Sequence, residues 1–297
     1  MGPYMSLIDR LGKLRATATE LVGKKPLVTF IEFRGIIRAD DSNKSTREGS
    51  GISFSRYSDI IGRAFQPKNL AAVALIINSP GGSPAQSQLI TNQIRRLANE
   101  KKVPVYAFAE DVAASGGYWL ALAADEIYCP QTSMIGSIGV IFNTINVHEL
   151  ASRYGVKGVI VKAGENKARL NLLEEVTDED KQSVQKLVDA VHELFKAWVL
   201  ERRGNKLTAE SEIVFSADVW TGKTALDMGL VDGNDGPTEV LKQKFGKFRN
   251  KRMKLPSTRS GPIRRLLGMT SPYRPPNASE IVDEILTRAS VTDFRIG

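Results

Sequence analysis

Ser115 stands between Ala113-Ala114 and Gly116-Gly117-Tyr118-Trp119, among small residues that leave room around a hydroxyl. Ahead of it, residues 103–109 (VPVYAFA) form a β-branched and aromatic run, and behind it residues 118–124 (YWLALAA) are apolar and helix-compatible. The pattern predicts a strand, a sharp turn and a buried helix. A serine on such a turn holds its hydroxyl clear of the main chain, while the glycines admit a substrate and helix-leading amides face developing negative charge. Ser115 is therefore the candidate nucleophile, although a lone Ser-Gly-Gly run also serves as an ordinary cap and turn.

A serine nucleophile needs a base, and the chain has only His148 and His192. His192 falls near the apolar face of a long helical stretch and His148 at the start of a polar helix, both places for a boundary or core histidine. A lysine can serve if its amine is neutral, which requires its ordinary pKa of about 10.4 to fall by roughly three units, about 4 kcal/mol. Lys167 lies just past a β-like run at 156–162 and Gly164. Lys162, which closes that run, is a rival expected to face solvent.

A second glycine turn, Asn78-Ser79-Pro80-Gly81-Gly82-Ser83-Pro84, ends the continuous apolar run 72–77. Such a run fits a buried parallel strand. Ser83 with Gln86 reads as a capping box and Pro84 as a first helical residue, opening a helix with Leu89, Ile90, Ile94 and Leu97 on its apolar face. This spacing leaves the Gly81-Gly82 amides at the carboxyl end of the strand.

The elements that must carry these turns follow from periodicity. Residues 27–33 read as the first strand, 38–55 as a polar loop and 57–65 as a short helix. Short strands are expected at 126–129, within 134–142 and at 156–162. Residues 177–203 form a long amphipathic helix with Val184, Leu187, Val188, Val191, Phe195 and Trp198 on one face, capped by Thr177 and stopped by Gly204. Residues 220–232 read as a turn, a short helix and a last strand. Alternation at this pitch predicts an α/β fold of stacked ββα-like units with ligands at the strand ends.

Composition sets the bounds. A chain of 297 residues with a single cysteine, Cys129, has no internal disulfide and no cysteine zinc or iron-sulfur cluster. The net charge of +8 is concentrated between Lys247 and Arg274, which hold nine Lys or Arg and no acid. That segment, broken by Pro256, Pro262 and Pro272 and followed by Pro275 and Pro276, reads as a solvated, partly disordered tail more than as a lipid or nucleic-acid surface. Leu7, Ile8, Leu11, Leu14, Leu21 and Val22 predict an amphipathic helix over the first residues. The expected domains are a helix at 1–26, a catalytic body at 27–246 and a basic tail at 247–297. With no apolar run of membrane-spanning length, the expected location is cytoplasmic, with peripheral membrane contact open.

The ordered set Asn78-Ser79-Pro80-Gly81-Gly82, Ala114-Ser115-Gly116-Gly117-Tyr118, Ser137-Ile138-Gly139-Val140 and Lys162-Ala163-Gly164-Glu165-Asn166-Lys167 resembles the serine-lysine signal peptide peptidases of the SppA and SohB group. Trp220-Thr221-Gly222, Ala225 and Gly229-Leu230-Val231-Asp232 look like that family's closing segment, so the resemblance covers about residues 27–246. It implies a ClpP/crotonase-type fold, a serine endopeptidase with Ser115 as nucleophile and Lys167 as base, and an oxyanion hole from the Gly82 and Gly116 amides. It implies no metal or other cofactor, a peptide or protein substrate, and a homo-oligomer in which the serine and lysine can come from neighbouring subunits. Nucleic acid is not an expected partner. The family usually carries an N-terminal membrane segment, and none is expected from the residues read here. A phage-type or cytoplasmic processing protease of the same group, a crotonase-fold acyl-CoA enzyme and a ClpP-like Ser-His-Asp protease remain as alternatives.

Overall fold

The computed structural model describes residues 25–39, 51–164 and 166–255. The amphipathic stretch expected before residue 25 and the tail beyond residue 255 lie outside them. The described chain divides into two units: one holds the residues up to Ile141 together with Val188–Leu255, the other Phe142–Leu187.

The first unit is built on a seven-stranded sheet. β1 (Leu27–Arg34), β2 (Leu70–Ser79) and β3 (Val105–Ala114) are its long strands. β4 (Glu126–Tyr128) pairs with β3, and the sheet continues as β6-β5-β3-β2-β1-β7, where β5 is Met134–Gly136, β6 Val219–Thr221 and β7 Arg249–Arg252. Every pairing is parallel except that of β5 with β6. Parallel strands need crossovers, and α1 (Phe54–Ala64), α2 (Pro84–Lys101) and α3 (Gly116–Ala121) follow β1, β2 and β3 in turn. The α/β class and the repeated strand-turn-helix unit are thus as the sequence predicts.

Strand alternation sorts the core into two layers. Ile31, Phe33, Val73, Leu75, Ile77, Val105, Ala107 and Ala109 join the larger cluster with the helices, whereas Val28, Phe30, Ala72, Ala74, Ile76, Tyr106 and Phe108 face the other way. That second face is covered by Val240, Leu241 and Phe245 of α8 (Pro237–Phe245). Helix α1 buries Tyr57, Ile60, Ile61 and Ala64, spaced three and four apart, and Tyr57 stacks on Phe33 at 4.7 Å between ring centroids.

Several expectations shift. The capping box of α2 closes on one side only: Ser83 Oγ accepts from the Gln86 amide at 3.4 Å, but Gln86 Oε1 instead accepts from the Phe54 amide at 2.8 Å. Leu89 is exposed, and the buried face of α2 runs through Ser87, Ile90, Thr91, Ile94 and Ala98. The long helix, α5 (Asp178–Arg203), buries only Phe195, Val199 and Arg203, four residues apart, and Trp119 meets Phe195 at 4.7 Å. After α6 (Ser211–Val214), the short helix expected within 220–232 is present as α7 (Gly222–Asp227), but the residues before it form β6 rather than a turn, and 228–232 run in turns and bends instead of a last strand. The sheet also runs past residue 246. β7 pairs in parallel with β1, so this part of the basic segment is an edge strand of the body rather than tail. Its charges suit that place, because exposed Lys and Arg discourage edge-to-edge pairing.

The second unit holds α4 (His148–Arg153) and the first part of α5. Thr177 and Asp180 form a reciprocal cap at the start of α5: the Asp180 amide donates to Thr177 Oγ1 at 3.1 Å and the Thr177 amide to Asp180 Oδ2 at 3.2 Å. The strand expected at 156–162 is absent, since these residues pair with no other described strand, and Val159 and Val161 are 88% and 97% exposed. A lone apolar run cannot satisfy its own main chain as a strand. No helix among the described residues is long and apolar enough to cross a membrane.

Candidate active site

Strand β3 runs straight into Ser115, whose amide donates to the Gly136 carbonyl at 2.8 Å and so extends the β3–β5 ladder by one bond. The chain then turns abruptly into α3 with Ser115 at φ 51°, ψ −124°. A serine at positive φ is strained by about 1–3 kcal/mol, which the surrounding structure has to hold in place. The helix is held at its far end. Arg202 donates to the carbonyls of Leu122 and Ala124, both at 2.9 Å, and Arg95 to that of Ala123 at 3.0 Å. Asp125 accepts from both guanidiniums. Tyr118 donates its hydroxyl to the Leu230 carbonyl at 2.7 Å.

Two glycines permit the close packing around the serine. A Cβ on Gly117 would stand 2.3 Å from the Ser79 carbonyl oxygen, and one on Gly81 would stand 2.8 Å from Ser115 Cβ. Side chains there would drive the turn after β2 away from the turn after β3. Gly116 also lies close to Gly82, for its Cβ would stand 3.2 Å from the Gly82 nitrogen.

Ser115, Gly82 and Gly116 are therefore brought together. Ser115 Oγ is buried with no hydrogen-bond partner, one of three such side-chain atoms among the described residues. The main-chain amides of Gly82 and Gly116 likewise have no acceptor among the described residues, while those of Gly81 and Ser83 are both engaged. A hydroxyl and two amides left unpaired where two glycine turns meet are an unusual concentration, because buried donors are almost always satisfied. The arrangement can hold a negatively charged oxygen formed by attack of the hydroxyl on a carbonyl.

Lys167 belongs to the second unit, on an exposed turn whose amide donates to the Gly164 carbonyl at 3.2 Å. Arg169 ties that turn to the start of α5, meeting Glu179 at 2.9 Å, Asp180 at 3.3 Å and Asn166 Oδ1 at 2.5 Å. Lys162 is exposed as expected. His192 Nε2 lies 3.0 Å from the Ile138 carbonyl and is half-buried, a boundary histidine, and the His148 amide is taken by Asn146 Oδ1 at 3.0 Å. Burial pushes the Cys129 thiol up to about 11, with the Asn234 amide only partly offsetting it, so this cysteine holds little thiolate near neutrality. Among the described residues no group of three or more His, Cys, Asp or Glu is placed to hold a metal ion.

Two contributors were not marked by residue pattern. The Ile37 amide donates to the Gly81 carbonyl and the Ser83 amide to the Ile37 carbonyl, both at 2.8 Å, so a residue just beyond β1 brackets the glycine turn. Ser79 Oγ accepts from the Gly81 amide at 3.2 Å. Neither could be found by spacing, since Ile37 acts through its main chain and Ser79 is one serine in a turn-rich stretch.

Fold and site together define a mostly parallel α/β protein with a serine set on a strained strand-to-helix turn. The chain belongs to peptidase family S49, whose sequence model matches residues 97–245, half of the chain. It is 30% identical over 234 residues to the probable protease SohB of Haemophilus influenzae, covering 78% of this chain and 62% of that one. It is 41% identical over 195 residues to a protein named Na(+)/H(+) antiporter NhaA from Brucella melitensis, covering 66% of this chain. The chain spans only 26% of that relative's length. The solved structure of a ClpP1 mutant from Listeria monocytogenes aligns over 76% of this chain and 99% of its own, at 16% identity and a TM-score of 0.44.

Proposed function

We propose that this chain is a serine peptidase in which Ser115 attacks the carbonyl of a peptide bond, and the observation that carries the reading is the Ser115 hydroxyl beside the Gly82 and Gly116 amides, all three without a partner among the described residues. In the reaction, Ser115 Oγ bonds to the carbonyl carbon and its proton passes to the neutral amine of Lys167. The carbonyl oxygen, now negative, is held by the two amides, and the amine returns the proton to the leaving nitrogen as the peptide bond breaks. The same amine then activates a water that releases the acyl group from Ser115. Loss of one such amide donor typically costs about 10²- to 10³-fold in rate.

Lys167 must be neutral to act, and an amine becomes so when it is desolvated. In the isolated chain it is exposed, so the reading requires something to cover it. The second unit exposes Ile145, Tyr154, Val159 and Val161 at 72%, 80%, 88% and 97%. Apolar surface on this scale favours association, and we assign the covering role to a second copy of the chain. The substrate class is a peptide or unfolded protein segment, by likeness to the SppA and SohB proteases.

Labelling with a fluorophosphonate, followed by intact mass, tests the nucleophile. One adduct on the wild type and none on Ser115→Ala is expected, and equal labelling of folded Ser115→Ala overturns the assignment. Co-expressing Ser115→Ala with Lys167→Ala tests whether the dyad is shared between chains. Activity regained in mixed oligomers is the expected result, and none in verified mixtures places both residues within one chain.

A further inference from the structure

We propose that Ser79 is a positioning residue for the oxyanion-binding turn, acting through the Gly81 amide to leave Gly82 as that turn's single free donor. The proposal rests on the reading of Ser115 as nucleophile.

Gly81 and Gly82 have φ of 112° and 137°, values that glycine alone adopts readily. Two consecutive glycines also resist rotation least, so nothing in their covalent geometry keeps the Gly82 amide directed beside Ser115. The orientation has to be imposed by bonds to neighbouring groups. Pro80 has no amide to offer. Ile37 takes hold of the Gly81 carbonyl and the Ser83 amide through its main chain, each at 2.8 Å. The Gly81 amide is bonded to Ser79 Oγ at 3.2 Å, and Ser79 is fully buried at the end of β2. With those three bonds made, the Gly82 amide is the one donor of the turn without an acceptor among the described residues.

The same residue also meets the other turn. The Ser79 carbonyl is the group against which Gly117 packs, so closely that a Cβ on Gly117 would come within 2.3 Å of it. Ser79 thus fixes the Gly81-Gly82 turn through its hydroxyl and abuts the Gly116-Gly117 turn through its main chain. Removing the hydroxyl leaves the Gly81 amide as a second unpaired donor and frees the Pro80–Gly81 peptide to rotate. The hydroxyl touches no reacting atom, so its loss should slow formation of the tetrahedral adduct while sparing probe binding and proton transfer.

The test measures fluorophosphonate inactivation of the full chain, separating the maximal rate of inactivation from the half-saturating probe concentration. For Ser79→Ala the maximal rate should fall about 10- to 100-fold, less than for outright loss of a donor. The half-saturating concentration and the pH dependence should stay where they are in the wild type. Ser79→Cys keeps the volume but offers a weak acceptor. It should fall in the same direction, and it takes the place of Ser79→Ala if that variant does not fold. Wild-type rates in the folded variants overturn the proposal. So does a reduced fraction of reactive sites at an unchanged rate, which marks misfolding, or a displaced pH profile, which marks acid-base work. Ser115→Ala, run alongside, separates the two readings: persistent labelling there refutes the nucleophile, whereas its loss together with wild-type rates at Ser79→Ala refutes only the positioning role.

Discussion

Replacing Gly82 with alanine should disable the site while leaving most of the body folded. A Cβ at this position would stand 2.0 Å from the Ile37 carbonyl oxygen and 2.9 Å from the Ile37 carbonyl carbon and nitrogen. Ordinary contact needs about 3.5 Å between such atoms, so the turn or the segment holding Ile37 has to retreat by roughly 1 Å or more. The neighbouring atoms are main chain and cannot swing aside as a side-chain tip would. A donor moved that far leaves hydrogen-bonding range, which amounts to losing one oxyanion contact: about 10²- to 10³-fold in kcat, or roughly 2.7–4 kcal/mol of transition-state stabilisation. The positive φ of 137° adds backbone strain of its own. Gly35→Ala is the matched control, because Gly35 also has positive φ, 95°, but no atom of the described residues lies within 4 Å of its Cβ position. It should cost about 1 kcal/mol of stability with little change in turnover. The assay is hydrolysis of a fluorogenic peptide, with thermal unfolding followed in parallel. Wild-type kcat in a folded Gly82→Ala protein would refute the reasoning, as would an equal loss of kcat in Gly35→Ala.

Lys167→Ala should abolish hydrolysis as completely as Ser115→Ala, with Lys162→Ala mild and Lys167→Arg giving no rescue because a guanidinium keeps its proton; turnover by Lys167→Ala removes lysine from the mechanism. Burial pushes the Asp232 carboxyl up, but Arg203, Lys206 and the Ile127 amide outweigh it and hold the group below its ordinary value. The stabilisation from this depressed pKa is therefore complete above the unfolded value of about 3.9 and is lost as pH falls through the folded one. Asp232→Asn leaves Arg203, only 3% exposed, without its carboxylate at 2.6 Å and should cost about 3–5 kcal/mol by denaturant unfolding, with a weaker acid dependence. Compared with a chain ended at Leu255, one ended at Gly246 loses β7 and with it the bonds from the Arg249 amide to the Pro26 carbonyl and from the Met253 amide to the Phe30 carbonyl. At about 1 kcal/mol each these two bonds alone give roughly 2 kcal/mol, to which loss of the β1–β7 ladder adds, and identical melting of the two truncations would remove β7 from the stable body.

Much of the body is legible in the residue order. The apolar run 72–77 belongs to β2 because a strand covered on both faces has to be continuously apolar, and the observed strand extends it to Leu70–Ser79. The break at Ser115 is equally plain, since few residues other than glycine and small polar ones tolerate so sharp a passage from strand to helix. The stretch 156–162 misleads for the opposite reason. Its alternation is that of a strand, but a strand exists only when another chain segment supplies the ladder, and no local pattern reports whether one does. β7 is missed because its four residues, Arg-Asn-Lys-Arg, have no apolar face to betray their pairing with β1.

Residue order by itself determines that this is an α/β chain with glycine turns at two strand ends and a serine on one of them, because run length, alternation and glycine placement are local properties. Which glycine amide is left free is decided by the folded turn and not by residue order. Gly81 and Gly82 are equivalent in the sequence. They differ because the Ser79 hydroxyl takes the first amide and Ile37, 45 positions before Gly82, arrives from the end of β1 to hold the groups on either side of the second. A hydrogen bond is a statement about two groups, and when one of them comes from a distant strand its presence cannot be read from either neighbourhood alone.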